Sequence, residues 1–171
     1  MPAGTLVSVE EYLNTTYRPD RDYVEGVLLE RNVGERDHSW MQALLVGAFL
    51  TRRGAWSVMP LPEQRVQIKP DRFRIPDVCI VRSDETDQII RRPPILCVEI
   101  LSKNDTVDAM EEKVSDYLEF GVPTVWVIDP RTRRGFIYTA DGIRRESRDG
   151  VLRAVNPGYP EIELPMSELA E

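Results

Sequence analysis

Histidine and cysteine are scarce in this chain: His38 is the only histidine, and Cys79 and Cys97 are the only cysteines among 171 residues. Their spacing offers no zinc-type cluster, and two thiols inside apolar runs do not make a disulfide framework. Both are read as buried free thiols of a reducing cytoplasm, possible cross-strand neighbours. No apolar stretch approaches the roughly 20 residues needed to cross a bilayer. The opening Met1-Pro2-Ala3-Gly4-Thr5 lacks the basic and apolar regions of a signal peptide. A Gly-rich phosphate loop, an internal repeat, a low-complexity segment and a readable Ser/His/Asp arrangement are all missing. Basic charge is also in deficit. A net charge of −7 and a pI near 4.9 argue against a general, electrostatically driven nucleic-acid binder.

What the chain does have fits one domain over 1–171: its 42% hydrophobic content is enough for a single sizeable core. Ser8 with Glu11 forms a capping-box pattern ahead of a first helix. Residues 22–30 alternate around Glu25-Gly26 as a tight hairpin or bent strand. A long helix is expected from about Asp37 to Arg53, with Trp40, Leu44, Leu45, Ala48 and Phe49 as its apolar stripe and Gly54 as its stop. From Trp56 to Val81 the chain reads as successive strands, with Pro60, Pro62, Pro70 and Pro76 at their boundaries. A helix from Asp105 or Thr106 to Gly121 separates strands 95–101 and 124–128, which suggests a parallel crossover. Trp126 is core. Segments 135–139, 143–147 and 151–155 predict an antiparallel meander, and a helical turn closes the chain at 166–169. The expected architecture is α/β: a mixed central sheet flanked by helices, with a C-terminal antiparallel meander.

Two acids stand out against this frame. Asp77 opens one apolar run and Glu99 closes another. A carboxylate in a buried strand is costly unless its charge is compensated. Adjacent strands lie about 4.8 Å apart, so the two side chains could share one metal ion. Period-two geometry puts Asp77, Cys79 and Val81 on one strand face, and Cys97, Glu99 and Leu101 on one face of the other. Hard oxygen donors suit Mg²⁺ or Mn²⁺, which can activate water and neutralise charge on a phosphoryl oxygen. On the second helix Met110, Val114, Tyr117 and Leu118 make the buried stripe, and Glu111, Glu112, Ser115, Asp116 and Glu119 the wet face. Lys113 falls at the stripe's edge, where it could reach over Glu99 or simply snorkel along the core.

The ordered motifs Arg74-Ile75-Pro76-Asp77-Val78, Pro94-Ile95-Leu96-Cys97-Val98-Glu99-Ile100-Leu101-Ser102 and Lys113…Tyr117…Gly121-Val122-Pro123-Thr124-Val125-Trp126-Val127-Ile128-Asp129-Pro130 resemble those of the bacterial Uma-two-type restriction endonucleases, a branch of the PD-(D/E)XK nuclease superfamily. Tyr23-Val24-Glu25-Gly26 resembles the family's upstream acidic region. The resemblance implies a restriction-endonuclease-like core, Mg²⁺- or Mn²⁺-dependent cleavage of nucleic acid, with DNA the expected substrate, and a homodimer. It assigns Asp77 and Glu99 to the metal, with Ile100 beside them, Glu25 as a further acid and Lys113 as the catalytic amine. One departure stands: the lysine of Glu-x-Lys would fall at Leu101. Lys103 has the right parity but lies past the strand.

His38 is read as an exposed residue at a helix start; its other reading is a base or substrate contact near the mouth of the site. Gln64 and Gln67 could orient a water, and Ser102 could cap a loop. Arginines cluster at 52–53, 72 and 74, 91–92, 131 with 133–134, and 144–145, as solvated charge or as a local basic rim. The second functional reading is a non-catalytic module that kept the fold and the acids. A third is a metal-dependent hydrolase of a small phosphorylated substrate.

Overall fold

The computed structural model describes residues 6–32 and 34–170; Met1–Thr5, read above for signal-peptide features, lie outside the described residues. Helix α1 (Val9–Asn14) begins where the Ser8 hydroxyl accepts from the Glu11 N–H, as its capping pattern predicts. Its Tyr12 packs with Tyr23 and Phe73 in a small aromatic core. Strands β1 (Arg21–Val24) and β2 (Val27–Glu30) form a hairpin, and Glu25 and Gly26 both take the positive φ that a two-residue turn requires. With β4 (Val66–Lys69) and β5 (Arg72–Arg74) they make a four-stranded sheet in the order β2-β1-β5-β4.

The larger sheet has six strands in the order β10-β9-β8-β7-β6-β3. These are β3 (Val58–Pro62), β6 (Val78–Arg82), β7 (Leu96–Ile100), β8 (Thr124–Asp129), β9 (Arg134–Thr139) and β10 (Arg144–Glu146). Among them only β7 and β8 run parallel, joined through helix α3 (Val107–Phe120) as the crossover pattern predicts. Helix α2 (Arg36–Trp56) covers one face with Met41, Leu45 and Phe49, and α3 covers the other with Met110, Val114 and Tyr117. Trp126 is fully buried on the α2 side. Cys79 pairs with Cys97 across β6 and β7 on the α3 side, and both thiols are free and buried. Among the described residues no helix is long and apolar enough to cross a membrane.

Several expectations need correction. Helix α2 runs through Gly54 to a left-handed Ser57, because Trp56 packs edge-on against Phe49 and Arg52 lies over its ring. Trp40 is 52% exposed, and Met41 takes the buried place expected of it. Pro60 sits inside β3 opposite Ile80, tolerated because β3 is an edge strand. The strands between 56 and 81 are divided between the two sheets. The C-terminal meander stops after β9–β10: β11 (Val151–Ala154) instead pairs with β12 (Ile162–Pro165), since Leu152, Ala154, Ile162 and Leu164 bury against the α2 side of the sheet. A 3₁₀ turn over Met166–Leu169 closes the chain. Asp116, placed on the wet face of α3, is 3% exposed, because Arg72 and Arg74 reach it from β5.

One junction positions the site. Arg74 is the last residue of β5 and Val78 the first of β6, so the chain crosses between the sheets over Ile75-Pro76-Asp77. Asp77 therefore sits at the seam.

Candidate active site

Strands β6 and β7 pair in register, Val78 with Val98 and Cys79 with Cys97. One further step sets Asp77 across from Glu99. Both acids wall a polar cavity of about 30 Å³, room for roughly two water-sized spheres. Lys113 and Arg31 reach the same space. The Lys113 ammonium lies 3.3 Å from Glu99 Oε2, so its position on the edge of the α3 stripe does bring it over the strand. Four residues along α3, Tyr117 donates its hydroxyl to Glu99 Oε1 at 2.6 Å.

Asp77 is held still more closely. Arg31 donates to Oδ1 at 2.9 Å, and the Ile100 N–H donates to Oδ2 at 2.7 Å. His38 Nε2 lies 3.3 Å from the same Oδ2. Gln42 on α2 donates to the Asp77 backbone oxygen, which fixes the seam from the helix side. On the rim, Asn32 donates to Ser102 Oγ and Asp105 Oδ1, tying the segment after β2 to the loop after β7.

Neighbouring environments split the two carboxyls. Burial pushes Asp77 up, but the His38 hydrogen bond, the Arg31 charge and the Ile100 N–H outweigh it and hold the acid below its ordinary value. Burial dominates at Glu99: against the opposing pull of Lys113, and with the Asp77 charge adding to it, the carboxyl rises from 4.5 to about 7. The hydrogen bond to Asp77 raises His38 despite partial burial. Two acids whose titration is driven in opposite directions within one cavity are a frequent mark of a reactive site.

The structure thus brings together Asp77, Glu99, Lys113 and Ile100, and it adds His38, whose reading as a plain exposed residue is overturned: its side chain is 14% exposed and turned onto Asp77. The isoleucine can offer a cation only its backbone oxygen, since its N–H is spent on Asp77. Glu25 is not brought in. On its hairpin turn it pairs with Arg72 at 3.0 Å and stays 64% exposed. Lys103 pairs with Glu35 on the surface, past the end of β7. Gln64 and Gln67 spend their amides on the backbone oxygens of Arg65, Gln88 and Pro70. Sequence reasoning missed Arg31 and took Tyr117 only as core. The helical spacing of Lys113 and Tyr117 carried the signal for the second; nothing local marked the first.

A family model described as "Putative restriction endonuclease" matches residues 9–167. The chain belongs to the Uma2 family. The matched residues include Asp77, Glu99 and Lys113. A crystal structure of a putative nuclease belonging to DUF820 from Anabaena variabilis is similar in fold, with a TM-score of 0.79 at 18% identity, covering 96% of this chain and 97% of that one. A search of curated proteins returned no match.

Proposed function

We propose that this Uma2 protein is a metal-dependent endonuclease that hydrolyses phosphodiester bonds of nucleic acid, with DNA the expected substrate. The observation that carries the reading is the convergence of Asp77 and Glu99, from separate strands, on one polar cavity with the Lys113 ammonium beside them. The donor set fits a hard divalent cation. Two carboxylates and a backbone oxygen with water completing the shell is a common arrangement for Mg²⁺. Among the described residues no group of three or more His, Cys, Asp or Glu gathers here, so such a site would lean on two acids.

Asp77, Glu99 and the backbone oxygen of Ile100 would hold Mg²⁺ or Mn²⁺. Bound there, the ion supplies an activated water and neutralises charge on the phosphoryl oxygen. Tyr117 orients Glu99 through Oε1 and leaves Oε2 toward Lys113. Lys113 stands where the missing Glu-x-Lys amine would act, poised to steer the attacking water and stabilise the charge that develops on the phosphoryl oxygens. Glu99, whose carboxyl burial raises to about 7, would hold the ion as its carboxylate. Arg31 and His38 balance Asp77 until then. Glu25 on its exposed turn has no part in this scheme. Cytoplasmic residence suits the two free thiols, and a homodimer, which the family resemblance implies, would show in sedimentation.

The deciding experiment measures Mn²⁺ binding by calorimetry and DNA cleavage for wild type, Asp77→Ala, Glu99→Ala and Lys113→Ala. Loss of binding in the first two variants and of cleavage in all three is expected. Equal activity in all four ends the proposal. One observation favours the second reading, a nuclease-derived module without catalysis: every carboxylate oxygen in the cavity already has a protein partner. That reading predicts no Mn²⁺ uptake at millimolar concentration.

A further inference from the structure

A second cavity, of about 200 Å³, lies beside α3 and shares two walls, Ser102 and Asp105, with the cavity at Asp77. Val127 in its lining is the register partner of Glu99 across β7 and β8, so it begins one strand from the carboxylates, about 4.8 Å away. Val127 packs beneath α3 and Glu99 takes a hydrogen bond from Tyr117 of α3, which puts both on one face of the sheet. Leu101, Met110 and Val127 give the cavity an apolar floor. Its charged groups balance, Arg131 and Arg144 against Asp105 and Glu111. Asp105 is committed, accepting from Asn32 and from the Ser102 N–H. Among the described residues, the Tyr138 hydroxyl, the Arg144 guanidinium and the Glu111 carboxylate have no hydrogen-bond or ion-pair partner. Tyr138 is 9% exposed; burial pushes its phenol up, with the Arg144 charge opposing and the Glu111 charge adding, so both charges are near the hydroxyl. Arg144 lies over the Phe136 ring, 3.9 Å from its centre, which leaves the in-plane N–H groups free to donate.

We propose that this cavity seats one unpaired nucleobase, guanine by preference, of a strand whose phosphodiester lies at Asp77 and Glu99. The assignment rests on the phosphodiesterase reading above for the strand. An apolar floor under balanced charges favours a flat neutral ring over a phosphate. The volume is below the roughly 300–1,000 Å³ of sites that enclose drug-sized ligands, which suits one ring system with its sugar outside. Met110 offers its thioether to the face of such a ring. Guanine alone among the bases carries two acceptors, O6 and N7, on one edge and two N–H donor groups on the next. A guanidinium reads the first edge and a carboxylate the second; Arg144 and Glu111 are such a pair, and the Tyr138 hydroxyl can serve either edge. Ser102 joins this cavity to the carboxylates. Its Oγ accepts from Asn32, so its own proton is left to donate to a phosphate oxygen. A base seated here cannot remain paired, so the strand is single or opened at that nucleotide.

The test titrates the full chain, carrying ¹³C in its methionine methyls, with dGMP, dAMP, dCMP and dTMP in EDTA, and follows the methyl signals by NMR. Met110→Leu identifies the Met110 signal. dGMP is expected to shift it saturably with a dissociation constant of about 1 mM, and the other three nucleotides to bind at least about tenfold more weakly. Met41 and Met166, on the opposite face of the sheet, should stay still. Arg144→Gln and Glu111→Gln should each weaken dGMP roughly tenfold and bring it level with the others. Both side chains are exposed, so folding is not at stake. Equal shifts from all four nucleotides, no shift at about 10 mM, or unchanged affinity in both variants overturns the subsite. Mn²⁺-dependent cleavage without nucleotide binding at Met110 would remove the subsite and leave the nuclease reading standing. Guanine-selective binding with no Mn²⁺ uptake would keep the subsite and remove that reading.

Discussion

Three residues apart along the chain, Arg74 and Asp77 anchor two clusters of buried charge that resemble each other in composition and differ in access. Around Arg74, which is 2% exposed, Asp116 accepts at 2.7 Å, Asp22 at 3.2 Å and Glu112 at 3.1 Å. Asp22 takes the Ile75 N–H with its other oxygen, and Asp116 takes Arg72 with its own. Arg74 lines none of the cavities described above. Around Asp77 the same ingredients, acids matched by an arginine and a lysine, face an opening. Closed, such a cluster is structure; open, it is a place where an incoming cation can replace a resident one.

The sharpest way to break the comparison is to remove the arginine from each cluster. Arg74→Ala strands Asp22 and Asp116 in the interior and should cost about 3–5 kcal/mol in urea unfolding, with failure to fold as the extreme. If it costs under ~1 kcal/mol, the closed cluster is not structural.

Glu99→Gln tests the open cluster in both directions. Cleavage should fall by roughly a hundredfold or more, as for loss of a key electrostatic group. Stability should move the other way. The folded value of Glu99 is raised from 4.5 to about 7, so its contribution is fully present below pH 4.5 and lost as pH rises through about 7. The metal-free variant should therefore match wild type in acid and exceed it by up to about 3 kcal/mol above about pH 8, read from melting curves across pH. A constant offset would remove the assignment.

Arg31→Gln sharpens the contrast further. Removing a cation from beside Asp77 should tighten Mn²⁺ binding roughly tenfold by calorimetry, since a full charge a few ångströms away opposes the ion. Weaker binding would mean that Arg31 organises the site and does not compete for it. The smallest effects belong outside both clusters. Lys103→Ala should leave cleavage unchanged and shift stability by less than about 0.5 kcal/mol, because its ion pair is on the surface. A larger loss of activity would return Lys103 to the place that Lys113 now holds.

Asp77 and Glu99 were legible because charged residues interrupt β-branched apolar runs, and period two fixes the face on which they fall. Lys113 was legible through helical spacing. Asp116 was misread for an instructive reason. An acid on the wet face of a helix looks solvated in sequence, and its arginine partners lie 44 and 42 residues earlier on the four-stranded sheet. Arg31 gave no local sign for the same cause, and His38 was legible only as the second of its two readings, a contact near the mouth of the site: what brings them to Asp77 is the packing of the hairpin and of α2 against the seam. The meander failed at β11 because Asp-Gly turns specify reversals of direction but not which edge the next strand will choose.

The crossing at Ile75-Pro76-Asp77 gives the molecule a mechanical property. A tether this short, with Arg74 locked at one end and the Asp77 carboxylate at the other, leaves no slack between the two sheets. The four-stranded sheet therefore holds one end of a three-residue link whose other end is a carboxylate of the reactive notch, so a substitution that loosens Arg74 reaches the notch through the backbone.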